Sequence, residues 1–265
     1  MSNKITYSES CFYQPADKQY SLKKIIIIWI LSVLPMPILA FVITPLLIPK
    51  IDLHPGIIYW MAMIVGMNWQ FVLSIIILKT DGYEIKWSVI RKRMKYQKPK
   101  NPKTGKSSYW LFLWVIPFII FSGSLQLVNI PNIGTMIFPF INSLPQYDIG
   151  SLATPEFEGA WWILGLCLTS SVFNYLLGEE FLYRGILLPR MTGVFGKWDW
   201  FANGVLFGCY HLHKPQMFLT SALVSGFLFA FPAKRFQSSW MAVIIHGAEG
   251  LFILVLVLGV ILGMT

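Results

Sequence analysis

Three short stretches of this chain set ionisable side chains inside otherwise apolar sequence. The first is Gly178-Glu179-Glu180-Phe181-Leu182-Tyr183-Arg184-Gly185. The second is Phe207-Gly208-Cys209-Tyr210-His211-Leu212-His213, and the third is His246-Gly247-Ala248-Glu249-Gly250. A charged group at the centre of an apolar helix costs about 3 kcal/mol on insertion scales, so each such residue is a functional candidate by default. Carboxylates and histidines on three separate segments suit water activation, with a carboxylate as base and histidines as second base, metal ligand or oxyanion donor. The same residue types make a proton relay in a transporter. Composition and spacing alone leave both readings open.

Residues four apart share a helix face, which places Glu180 beside Arg184 and Glu179 beside Tyr183. A carboxylate paired with arginine stays ionised, whereas a buried neighbour without its own cation is pushed toward its neutral form. Two adjacent carboxylates in different surroundings can therefore divide their labour, one holding structure and one moving protons. The bland alternative for Glu180 and Arg184 is an i,i+4 ion pair at the membrane interface. For His211 or His213 it is a helix-end histidine satisfied by a carbonyl. His246 and Glu249 enter an apolar run together, which makes a purely structural role more costly. The chain has no HExxH, which speaks against a zincin. It has no GxSxG to support a serine nucleophile and no GxGD aspartyl signature.

The elements that carry these stretches are membrane helices. Of 265 residues 55% are hydrophobic and 12% charged, against about a quarter charged in ordinary soluble domains. The mean hydropathy is +0.61. A span needs about 20 apolar residues. The candidate runs are Ile25–Ile48, Gly56–Leu78, Tyr109–Val128, Trp161 to beyond Leu177, the shorter Phe201–Tyr210 and Phe218–Phe231, and Met241–Leu262, with an eighth near Ile133–Ile141. This predicts an all-α, polytopic bundle of about seven to eight transmembrane helices. Pro35, Pro37 and Pro45 predict a kinked first helix. Residues 1–22 read as a tail, 23–265 as the transmembrane domain, 79–108 as a basic loop and 160–262 as the part bearing the chemistry.

The Lys79–Ser108 loop carries ten Lys and Arg, and the tail carries Lys4, Lys18, Lys23 and Lys24. The Pro131–Glu158 loop has no basic residue but holds Asp148, Glu156 and Glu158. The positive-inside rule then puts the tail and the basic loop in the cytoplasm of a cell (plasma) membrane protein, with the N-terminus inside. Within the basic loop Ile85, Trp87, Ile90 and Met94 alternate with cations, a pattern shared by an interfacial helix and by a solvated loop. The net charge of +9 finds its counter-charge in anionic lipid headgroups rather than nucleic acid. Cys11, Cys167 and Cys209 lack metal or disulfide spacing and read as unreactive thiols. A first run longer than a signal-peptide core, with no small-x-small site after it, reads as an anchor that stays.

Glu179-Glu180-x-x-x-Arg184, then Phe207-x-x-x-His211, then His246 early in a late span, resemble the CPBP family, the CAAX prenyl-protease and bacteriocin-processing intramembrane endopeptidases also called the Abi family. Order and spacing match across roughly Trp161 to Leu262. The resemblance implies an all-α bundle whose motifs face an intramembrane cavity open to the cytosol. It implies hydrolysis of a peptide bond in a membrane-associated or prenylated peptide or protein. By that analogy Glu179 is the general base, His211 shares in holding the water, Glu180 and Arg184 set the carboxylate geometry, and His246 stabilises the oxyanion. The cofactor stays open between none and a divalent metal such as zinc, because the family is described both as metalloprotease and as glutamate-type protease. One departure stands out. The family's last motif pairs its histidine with Asn or Asp four residues on, and here that position is Gly250. This keeps a non-catalytic binding or immunity protein on the same scaffold as an alternative, with a proton-coupled transporter behind it.

Overall fold

In a computed structural model the chain folds into a helical bundle, with residues 18–127, 133–145, 147, 149–217 and 222–264 described. Lys4, Cys11, Asp148, Val128 and Phe218 lie outside them, as do most of the tail and part of the acidic loop. We number the longer helices α1 (Leu22–Lys50), α2 (Pro55–Thr80), α3 (Trp87–Arg93), α4 (Val115–Leu127), α5 (Trp162–Val172), α6 (Asp199–Tyr210), α7 (Leu223–Arg235) and α8 (Ser239–Ile261). Among the described residues there is no strand, only one isolated bridge between Lys100 and Ser107. Helix is what the bilayer demands, because it satisfies every backbone polar group within one segment.

Among the described residues three helices are long and apolar enough to cross a membrane: α1, α2 and α8. A shorter apolar stretch, Tyr109–Leu125, accompanies them. The chain is thus an integral membrane protein, and of the seven to eight spans that the sequence reading expects, three are long unbroken helices among the described residues. The reason lies in the breaks. The run from Trp161 onward is not one regular helix: α5 passes into a π-helical turn at Phe173–Leu177, breaks at Gly178, and resumes as a wide turn at Phe181–Leu187. The runs Phe201–Tyr210 and Phe218–Phe231 contribute α6 and α7, of 12 and 13 residues, about 20 Å each at 1.5 Å per residue. The stretch near Ile133–Ile141 forms only short turns, Ile133–Ile137 and Pro139–Ser143.

Local chemistry accounts for the helix ends and irregularities. Pro45 has no N–H to give the preceding turn, and α1 widens into a π turn at Leu39–Ile43. There the Thr44 hydroxyl donates to the Leu39 carbonyl at 2.8 Å. At the start of α2, Pro55 sits in the first turn and the His54 ring accepts from the Gly56 amide at 3.1 Å. The basic loop is fastened to the bundle. Ile90, Arg93 and Met94 of the α3 region are buried, and Arg93 donates to the Gly185 carbonyl at 3.1 Å and to the Tyr20 hydroxyl at 3.1 Å. Asp81, at the end of α2, accepts from Tyr20 and pairs with Lys24. Hence α3 turns its Ile90 face onto protein and leaves Trp87 exposed.

Helices α6 and α7 meet backbone against backbone. A side chain on Gly226 would strike the Gly204 carbonyl, and one on Gly208 would lie 2.8 Å from the Leu223 Cα. Small residues allow this approach, as in other membrane interfaces built on Gly-x-x-x-Gly, the spacing of Gly204 and Gly208. Its consequence for the site is direct. The α7 backbone lies near enough to the Glu179-Glu180 segment for the Gly226 carbonyl to accept from Arg184 at 3.2 Å.

Candidate active site

Glu179 and Glu180 stand where the helix is broken, and the break is built into the sequence. The Gly178 amide donates to the Phe173 carbonyl at 2.6 Å. A Cβ on Gly178 would lie 2.5 Å from that oxygen and 2.8 Å from the Met67 carbonyl of α2. The bend turns both carboxylates into the bundle, where Glu179 is 3% and Glu180 0% exposed.

Their surroundings differ. Glu180 Oε1 accepts from Arg184 Nη1 at 3.1 Å and lies 2.9 Å from His246 Nδ1. Arg184 and His246 are themselves buried. Removing a charge from water costs several kcal/mol, and only pairing with good geometry repays it. Glu180 has two such partners. Glu179 has no ion pair among the described residues; the Asn174 amide, oriented with its nitrogen toward the carboxylate, donates to Oε1 at 2.8 Å and Oε2 at 3.1 Å. The buried Tyr210 hydroxyl is near Glu179 and Gln70 and makes no close hydrogen bond among the described residues.

Phe207 joins the three stretches. Its ring centroid is 4.0 Å from the Arg184 guanidinium carbon, 4.9 Å from the His211 ring and 5.9 Å from the His246 ring. Phe229 of α7 stacks on His246 at 4.4 Å. Cation–π contact with a desolvated guanidinium contributes roughly 2 kcal/mol and fixes the side of the ring on which Arg184 lies. His211 Nδ1 is 3.0 Å from the Phe207 carbonyl. As a neutral ring donating through Nδ1, it keeps the lone pair on Nε2. His213 stacks beside His211, with centroids 5.6 Å apart.

The residues that the sequence marks thus fall into one neighbourhood. Glu180, Arg184 and His246 touch directly, and His211 faces them across Phe207. Tyr183 departs from the expectation that it accompanies Glu179: its hydroxyl bonds Ser32 Oγ at 3.2 Å. Glu249 turns away and accepts from Ser122 Oγ of α4 at 2.8 Å, so it does not replace the polar group missing at Gly250. Sequence reasoning overlooks Asn174 and Tyr175. Asn174 lies five residues before Glu179, outside i,i+4 logic, and reaches it only because a π turn intervenes. No three His, Cys, Asp or Glu side chains among the described residues are grouped to hold a metal ion. Glu180 and His246 spend facing atoms on one another, and this donor set does not fit a metal centre.

Residues 157–252 match the family model described as type II CAAX prenyl endopeptidase Rce1-like. The matched segment holds all three stretches and bears out the resemblance read from them. No curated protein and no solved structure matches the chain.

Proposed function

We propose, from the Rce1-like match over residues 157–252, that this chain is an intramembrane endopeptidase that hydrolyses a peptide bond in a membrane-associated or prenylated peptide or protein. The observation that carries the reading is the unequal setting of two adjacent buried carboxylates. Glu180 is held by Arg184 and His246, while Glu179 meets only neutral donors, the amide of Asn174 at 2.8 and 3.1 Å. A carboxylate with no ion pair of its own keeps more of its basicity, which is what a general base requires.

In this reading Glu179 takes a proton from water as the water oxygen attacks the scissile carbonyl. It then returns the proton to the departing amine. His211 Nε2 accepts the water's second hydrogen and fixes its direction. His246 anchors Nδ1 on Glu180 and directs Nε2 at the developing oxyanion. Donation there requires a proton on both ring nitrogens, and the Glu180 carboxylate is the counter-charge for that cation. Arg184 fixes Glu180, and through it His246. No step is assigned to a metal.

Gly250 favours a second reading, a binding or immunity protein without catalysis, because losing one oxyanion donor typically costs about 10²- to 10³-fold in rate. One experiment separates the two. Purified protein in liposomes is given a panel of membrane-anchored and farnesylated peptide reporters. Cleavage that Glu179→Ala and His211→Ala both abolish supports the peptidase. Cleavage unchanged in both variants sinks it, and a cellular phenotype that survives Glu179→Ala favours the binding protein.

A further inference from the structure

The face of α7 turned away from the site borders a furrow that the peptidase reading does not use. It has a volume of about 610 Å³ between α4 and α7, and Trp114, Phe118 and Phe121 line one side with Leu228 and Phe231 opposite. Trp114 to Phe121 and Leu228 to Arg235 are each seven residue steps, about 10 Å of helix. The two walls therefore descend by the same depth. Aromatic pairs tie them together: Trp114 meets Phe236 at 6.2 Å and Phe118 meets Phe231 at 6.3 Å between centroids.

One end of this apolar furrow is cationic. Lys103 and Arg235 border it there, and a second cleft of about 440 Å³, sharing Asn101, Pro102, Phe231 and Arg235, adds Lys100, Lys234 and Gln237. No Asp or Glu lines either cavity. Lys234 is held by Asp199, but Lys100, Lys103 and Arg235 have no ion pair among the described residues. The Lys100 amide donates to the Phe236 carbonyl at 2.8 Å, which fixes this part of the basic loop to the end of α7. Unpaired cations at one end of an aromatic groove on a membrane protein match a single ligand chemistry, a phosphate headgroup with an acyl chain below it.

We infer that the α4–α7 furrow binds one anionic phospholipid, its phosphate between Lys103 and Arg235 and an acyl chain along Trp114, Phe118, Phe121 and Leu228. The cavity volume is in the range of built ligand sites, about 300–1,000 Å³. The inference stands apart from the peptidase reading, since none of these residues belongs to the Glu179 neighbourhood. A bound chain would support α7, whose inner face carries Gly226 and Phe229, from behind.

The test uses the full chain in detergent with phosphatidylglycerol or phosphatidylcholine of matched chains, read by native mass spectrometry. Two headgroup contacts predict retention of phosphatidylglycerol about thirty-fold above phosphatidylcholine. K103Q/R235Q brings retention down to the phosphatidylcholine level. Leu228→Trp fills the apolar half and also releases the lipid while leaving the cations in place. Equal retention of the two lipids by the parent protein overturns the inference without any variant. So does unchanged phosphatidylglycerol retention in both variants once circular dichroism shows them folded. Displacement of the lipid by a farnesylated peptide would assign the furrow to substrate and overturn it as well.

Discussion

The Tyr175 ring occupies the space into which any side chain at position 250 would project: a Cβ on Gly250 would collide with the Tyr175 ring edge. The same ring packs edge-on against His246, with centroids 4.8 Å apart. Gly250 is therefore not merely a missing Asn or Asp. It is half of a packing arrangement in which Tyr175 buttresses the histidine that a residue at 250 would otherwise flank.

This relationship predicts that restoring the family residue alone does harm. Gly250→Asn should destabilise the protein by about 1–3 kcal/mol, the usual cost of overpacking. Gly250→Ala should fall in the lower part of that range. Tyr175→Ala combined with Gly250→Asn should recover most of the loss, since the two changes share one space and are not additive. Thermal unfolding in detergent reads the parent, both Gly250 variants, Tyr175→Ala alone and the double variant, and additive effects would dissolve the proposed link.

The buried ion pair leads to a second prediction. Arg184→Met leaves Glu180 with His246 alone, and breaking one partner of a buried pair typically costs about 3–5 kcal/mol. Glu180→Leu leaves Arg184 with the Gly226 carbonyl and the Phe207 face. It should cost a similar amount. The double variant should be more stable than either single one, because no charge is then left uncompensated. Chemical denaturation of the three variants measures the coupling.

Much of this arrangement is legible in the sequence, and the parts that are not share a cause. Glu180 and Arg184 obey helix spacing, and their contact is as expected. Helix spacing fails where the backbone leaves α geometry: Tyr183 goes to Ser32 instead of Glu179, and Asn174 reaches Glu179 across five residues and a π turn. For the same reason only three of the expected seven to eight spans appear as long unbroken helices among the described residues. Hydropathy sees the apolar run from Trp161, but not the break at Gly178, where a Cβ would meet the Phe173 and Met67 carbonyls. The α6–α7 contact was available as Gly204-x-x-x-Gly208, although its partner Gly226 and the line it opens to Arg184 need three dimensions. Gly250 is conspicuous, but that Tyr175 fills its place depends on how the π turn after α5 meets α8.

Gly178 itself can be tested. An alanine there must fit between two backbone oxygens, at 2.5 and 2.8 Å from its Cβ, and neither can rotate away as a side chain could. Gly178→Ala should cost about 2–3 kcal/mol. It should also displace Glu179, so activity would fall further than stability. A variant as stable as the parent would show that the bend is not sterically set.

Lys95 provides a pH prediction outside the spans. Burial first, and then the nearby charges of Lys234 and Arg190, lower its amine from 10.5 to about 8. It donates to Gln237 Oε1. Between pH 8 and 10.5 the unfolded chain holds a proton on this amine that the folded chain has shed, so stability rises with pH across that window. Below pH 8 both states are protonated and the penalty is constant. Lys95→Met should be more stable than the parent at pH 7, with the advantage shrinking toward pH 10. Melting temperatures of the pair from pH 7 to 10 check the slope, and parallel curves would contradict it.

In the proposed mechanism Asn174 positions Glu179. Its amide engages both oxygens of Glu179, and a hydrogen bond to a charged group contributes about 1.5–3 kcal/mol. If Glu179 is the base and Asn174 acts only through it, Asn174→Ala should lower kcat by roughly 10- to 100-fold with little change in KM. Asn174→Asp should be worse than Ala, because a second carboxylate beside Glu179 raises its affinity for a proton and shifts the rising, acid-side limb of the rate profile to higher pH. A structural role alone would lower the amount of folded protein and leave that limb in place. The pH–rate profiles of the two variants, compared at equal folded concentration, therefore distinguish positioning of the base from support of the helix break.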